Sequence, residues 1–235
     1  MFNGDTSVSR RRMMLGVLSF AAAGVLATAC AATSTEPSAS GSGSPAPQPV
    51  ATGDPLPFGP EGFGHLTVGM KEEDALATGD LQAAPISTVL NRNVYSFVGG
   101  PEPDPSRMAA DEELEDAVAK ADDPAAESAK DSADAAKLYA DSTKRTLERM
   151  VAFLEAGGAS FRHGYLDTIA APKDAATAEG IKRGSSRAEL ETAYENRGLA
   201  KGSDGNYKMP AGREWQLIFE MDGNKVKYMS LARKY

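Results

Sequence analysis

The 235-residue chain holds one cysteine, two histidines and one tryptophan. A single thiol forms no internal disulfide, so an exported domain of this sequence stands on burial alone. Two histidines, His65 and His163, fall short of a metal set, and no HxxxH or CxxC spacing accompanies them. They read as surface residues, and no cofactor is expected. The serines include no Gly-x-Ser-x-Gly elbow, and no glycine-rich phosphate loop follows a strand. "SDGNY", residues 203–207, starts like a calcium loop but lacks the later ligands, so it reads as a turn. Together these absences argue against an enzyme. Positive charge is also scarce. The formal net charge is −8, and beyond residue 29 there are 22 basic against 32 acidic groups. Such a chain repels nucleic-acid phosphates, so no nucleic-acid partner is expected.

The N-terminus carries an address. Arg10, Arg11 and Arg12 precede an uncharged run from Met13 to Ala29, rich in Ala, Gly and Leu, which ends in "LATAC" at Cys30. Small residues suit a signal peptidase, and the following thiol accepts a diacylglyceryl group. The segment resembles a bacterial lipoprotein signal, and "SRRRMM" is similar to a twin-arginine export signal. Residues 1–29 are therefore expected to be a signal peptide, with Cys30 acylated and anchored in the bilayer on the extracytoplasmic face of the cell membrane. Residues 30–57 are rich in Ser, Pro, Gly, Thr and Ala and read as a disordered tether. As a flexible coil it would span roughly 30 Å.

The folded part repeats itself. "LTVGMKEEDA" begins at Leu66, and "IKRGSSRAEL" begins 115 residues later at Ile181. Leu66 matches Ile181, Gly69 matches Gly184, Asp74 matches Glu189 and Ala75 matches Leu190. Ser186 and Glu189 have capping-box spacing. Lys71 stands where the capping serine would be, so the first helix start is weaker. Helices are expected over about 70–78 and 186–196. Strand signals come after each: "NVYSFVGG" and "ASFRHGYLDTIAA", with a turn at His163-Gly164, then "GNYKMP", "REWQLIFEM" and "KVKYMSLARKY", with a turn at Gly223. In the last group Trp215, Leu217 and Phe219 alternate, as do Val226 and Tyr228.

Between Leu66 and Gly164 lie 56 more residues than between Ile181 and Gly223, and the compositionally foreign segment 101–156 has that length. The expected fold is α+β: two tandem units, each a helix plus a three-stranded antiparallel sheet, over 58–177 and 178–235. A helical insertion, 101–156, interrupts the first. Pro-Glu-Pro-Asp-Pro at its start reads as non-helical. A first helix is expected over 111–121. A second begins at the Asp123-Pro124 cap signal and ends at Gly157-Gly158. Ala129, Ala133, Ala136, Ala140, Thr143, Leu147, Met150 and Leu154 share one face, small at first and large later.

The short helix entered by Gly-Met or Gly-Ser and an acid, followed by strands and repeated in tandem, resembles the β-lactamase-inhibitor-protein-like arrangement. Its single unit resembles the SmpA/OmlA small-lipoprotein fold. "GGASFRHGYLDTIAAPKDAATAEGIKRGSS", residues 157–186, is similar to lipoproteins of high-GC Gram-positive bacteria. The resemblance covers roughly 59–100 and 157–235 and bears on the fold. The inhibitor proteins carry disulfides and this chain has none, so their target is not carried over.

Seven aromatics fall on expected strands. Trp215 and Phe219 are read as core. Tyr95 and Tyr165 are read as an exposed protein-binding face, because tyrosine brings area at low entropic cost. The functional expectation is a lipid-anchored, non-catalytic protein-binding or inhibitor-like module for a secreted or envelope protein. The alternative is a structural or assembly lipoprotein acting through the acidic insertion.

Overall fold

A computed structural model describes residues 54–88, 92–121 and 129–234. The signal segment, Cys30 and nearly all of the expected tether lie outside the described residues. The fold is mixed α+β, with four helices and two antiparallel sheets among the described residues. A three-stranded sheet comprises β1 (Leu56–Gly59), β2 (Gly62–Gly64) and β3 (Leu66–Thr67). No strand pattern in the sequence announces it, and β1 takes up the last two residues of the expected tether.

The larger sheet has seven strands: β4 (Arg92–Ser96), β5 (Gly158–Arg162), β6 (Tyr165–Ala170), β7 (Ala200–Lys201), β8 (Tyr207–Ala211), β9 (Trp215–Asp222) and β10 (Lys225–Arg233). Their order is β4-β5-β6-β10-β9-β8-β7. Two consecutive hairpin runs therefore join edge to edge, through β6 and β10. His163 and Gly164 have φ of 53° and 75°, and Gly223 has 58°, which is the left-handed geometry a tight hairpin turn needs.

Each hairpin hides a bulge. On β6, Leu166 pairs with Phe161 and Thr168 with Ser160, so Asp167 is the extra residue. On β10, Val226 pairs with Met221 and Tyr228 with Glu220, so Lys227 is extra. One extra residue sends the rest of the strand to the opposite face. Val226 and Tyr228, read from the sequence as one face, consequently sit on different faces. Val226 joins the main core, whereas Tyr228 packs with Leu154 and Ala170.

Helices α1 (Glu72–Ala77) and α4 (Arg187–Ala193) are shorter than expected. The capping box at Ser186 and Glu189 is complete, whereas Lys71 makes no side-chain cap. Both helices lie against the face lined by Tyr95, Ala159, Phe161, Ile169, Leu231, Leu217 and Phe219. Ala75 and Leu190 are fully buried there. Burying one such leucine contributes about 1.5–3 kcal/mol.

The insertion forms α2 (Pro105–Ala121) and α3 (Ala129–Ala156). α2 starts six residues before the expected Asp111. The cause is Asp104, whose carboxylate accepts from the backbone N–H of Ser106 at 3.0 Å and of Arg107 at 3.1 Å. Asp104-Pro105 is thus a cap with proline in the first turn, the very signal read at Asp123-Pro124. α3 is 28 residues long, about 42 Å. Its last turns dock on the second face of the large sheet through Phe153 and Leu154.

Candidate functional site

Residues paired across antiparallel strands share a face, so the second face of the large sheet can be read row by row. One row runs Lys208, Ile218, Ser230, Ala170, Gly158, Ser96. The next runs Pro210, Gln216, Ala232, Thr168, Ser160, Val94. Both consist mostly of small or polar side chains. The end of α3 covers the middle of the first row, near Ala170 and Gly158. A Cβ on Gly158 would lie 3.3 Å from the Phe153 ring. In the second row Val94, Thr168, Ala232 and Gln216 are half-buried and Pro210 is exposed. This strip crosses six strands.

Charge is concentrated at two corners of this face. At one, Arg92 and Arg162 stand directly opposite each other on β4 and β5. Like charges so placed repel, and the bulge residue Asp167 lies between them. Its Oδ2 is 2.9 Å from Arg92 Nη2, and its Oδ1 is 4.0 Å from Arg162 Nε. Asp167 is 2% exposed, while each guanidinium remains about a third exposed. Neither Asp167 oxygen has a partner in hydrogen-bond alignment, although Arg92 is close enough for an ion pair. Two guanidiniums thus flank one buried carboxylate. Burial lowers the pKa of Arg92, and the Asp167 charge works against that; a guanidinium stays protonated regardless. At the other corner the bulge residue is Lys227, with its ammonium 5.0 Å from the Tyr228 ring. Glu220, opposite Tyr228, has its carboxyl pKa raised by burial, with Lys227 opposing that rise.

The two expected binding tyrosines part company. Tyr165 is exposed, at 48%, beside the Arg162 corner. Tyr95 is 5% exposed and faces α1, where its hydroxyl donates to Glu72 Oε1 at 2.7 Å. Burial, reinforced by that carboxylate, raises its phenol pKa. The expectation of an exposed Tyr95 is therefore corrected. Strand alternation puts Tyr95 and Phe97 on one face and leaves the choice of face open; Phe161, stacked edge-on at 5.7 Å, shows which face it is. Trp215 and Phe219 are core, as expected.

Arg183 carries no mark in the sequence. Its guanidinium donates to the carbonyls of Leu154, Glu155 and Ala171, the latter two at 3.0 and 2.8 Å, and lies 5.2 Å from the Tyr228 ring. It caps the C-terminal carbonyls of α3 with a cation and so fixes where the helix ends over the sheet. No local pattern could have found it, because its helix partners lie 28 and 29 positions away.

His65 pairs with Asp80, Nδ1 to Oδ1 at 2.9 Å, and His163 is exposed in its turn. Among the described residues, no group of three or more potential ligands is arranged for a metal ion, and no helix is long and apolar enough to cross a membrane. An open groove of about 500 Å³ runs beside α4, lined by Glu179, Ile181, Ser185, Ala188, Glu189 and Thr192. Its two carboxylates are already engaged, Glu179 by Tyr194 and Arg197 and Glu189 by the Ser186 cap. The second face of the sheet thus carries hydroxyls, one amide and charges of both signs, partly exposed along its second row. Compared with known proteins, the chain matches no family model, no curated protein and no solved structure.

Proposed function

We propose that this chain is a non-catalytic protein-binding or inhibitor-like module, held at the outer face of the cell membrane by acylated Cys30. Its partner, a secreted or envelope protein, lies on the partly exposed second row of the seven-stranded sheet. The observation that carries this reading is the strip from Pro210 to Val94, which crosses six strands and is partly exposed at Thr168, Ala232 and Gln216. The partly exposed guanidiniums of Arg92 and Arg162 suit a partner carboxylate, and Tyr165 adds contact area beside them.

We also infer that the sheet arose from two tandem units of one helix and three strands. The strand order β4-β5-β6 mirrored by β8-β9-β10 supports this. So do Gly69 and Gly184, 115 residues apart, with φ of 79° and 87°. Leu166 N–H donates to Met70 C=O at 2.9 Å, and Val226 N–H donates to Ser185 C=O at 2.8 Å. Asp167 and Lys227 both bulge shortly after their turns. Duplication also accounts for one continuous sheet, since each unit covers the open edge of the other.

The test is binding by the full chain. Envelope and secreted proteins retained by it are identified, purified and titrated against Thr168→Arg, Gln216→Arg and Tyr165→Ala variants. Loss of affinity in the two arginine variants, with unfolding temperature unchanged, is expected. Unaltered affinity in both would reject the sheet face.

A further inference from the structure

Between Ala133 and Val151, helix α3 packs with its charged side and leaves its apolar side exposed. Asp111 of α2 meets Arg145 and Arg149, while Leu147 and Met150, on the other side, are 57% and 51% exposed. Of six exposed large apolar side chains among the described residues, four lie on this helix: Tyr139, Leu147, Met150 and Val151. Ala133, Ala136, Ala140, Thr143, Leu147 and Met150 alternate steps of three and four. That is the narrow 3.5-residue seam of a helix pair, not the broader stripe of a helix facing a globular core.

We propose that α3 pairs antiparallel with α3 of a second copy of this chain. Size decides the direction. The seam is small at its N-terminal end and large at its C-terminal end. An antiparallel register centred between Asp141 and Ser142 sets Ala133 against Met150, Ala136 against Leu147 and Ala140 against Thr143. Every layer then holds one small and one larger side chain, so the helices keep an even separation. A parallel pair would set alanine on alanine at one end and leave a gap. The sheet of each copy adjoins the C-terminal end of α3, so antiparallel pairing also holds the two sheets at opposite ends. A lipid surface is the poorer occupant. Lys137 and Lys144 alternate with Asp134, Asp141 and Glu148 on one flank, which opposes anionic headgroups.

The experiment uses the full chain with Cys30→Ser, so that only introduced thiols react. Sedimentation should show a concentration-dependent dimer. Leu147→Asp should raise its dissociation constant at least about tenfold without lowering the unfolding temperature, since Leu147 is solvated in the single copy. Ala140→Cys alone should form a disulfide dimer. Ala133→Cys alone should not, but should cross-link when mixed with Met150→Cys. A monomer at all concentrations, an undiminished Leu147→Asp dimer, or self-cross-linking of Ala133→Cys would overturn the proposal. So would a monomer that binds anionic vesicles through Leu147, which would assign the seam to lipid.

Discussion

Asp111 on α2 accepts a hydrogen bond from Nε of Arg145 on α3 at 2.6 Å, and its other oxygen lies 3.2 Å from Arg149 Nη1. The hairpin of α2 and α3 is thus closed by charge, around a carboxylate that is 4% exposed. Asp111→Asn should destabilise this hairpin by about 2 kcal/mol. That is less than the roughly 3–5 kcal/mol typical of a fully buried pair, because Arg145 stays partly solvated. Hydrogen exchange over 105–121 would measure it.

Acid should act on the same contact. Burial alone would raise the Asp111 pKa, but the bonds from Arg145 and Arg149 outweigh it, and the net shift is downward. The stabilisation is therefore complete above the ordinary carboxylate value of 3.8 and is lost as pH falls through the depressed folded value. Exchange in α2 should quicken in acid for the native chain, with Asp111→Asn removing this residue's share of the pH dependence.

Asp167 lies between two arginines that stand opposite each other on β4 and β5. Asp167→Ala should cost about 3 kcal/mol of global stability. In an Arg92→Gln background the same change should cost at least about 1 kcal/mol less. Denaturant titration of the four chains closes the cycle, and simple additivity would mean that the pair is not coupled.

Gly158 and Gly164 should respond differently to alanine. A Cβ on Gly158 would fall 2.2 Å from the Tyr95 carbonyl oxygen, a backbone atom that cannot step aside. Gly164 has open space, and only its φ of 75° resists a side chain. Gly158→Ala should cost about 3 kcal/mol or more and Gly164→Ala about 1 kcal/mol, read from thermal unfolding.

The uneven caps can be exchanged. Ser186→Ala should cost about 1 kcal/mol in thermal unfolding. Lys71→Ser should add up to about 1 kcal/mol, because Lys71 already has the extended backbone of a cap, with φ −75° and ψ 153°.

These sites differ in how far they could be read from the chain. The turn at His163-Gly164, the Ser186 box and the alternation of Trp215, Leu217 and Phe219 were legible because each depends on neighbours within a few residues. The α2 start has an Asp-Pro signal too, at Asp104-Pro105, but three prolines within residues 101–105 also carry the mark of a non-helical stretch. The bulges at Asp167 and Lys227 were not legible. A bulge is a relation between two strands, and nothing in "YLDTIA" or "KVKYMS" says which residue goes unpaired. The same limit hid Arg183, and it accounts for the misplacement of Tyr95, expected on the exposed face but buried beneath α1. The Arg92–Asp167–Arg162 corner draws on three strands, so only the pairing register brings it together.

Phe58, fully buried in β1, is tied to the loop after β6 through its N–H bond to the Ala176 carbonyl at 3.1 Å, and it rests on Phe63 at 6.0 Å. In the chain it precedes every strand of the seven-stranded sheet. Mechanical load entering from the N-terminal side therefore reaches this aromatic clamp before it reaches either sheet hairpin. The clamp would bear the first tension, and the seven strands behind it would keep their shape while it held.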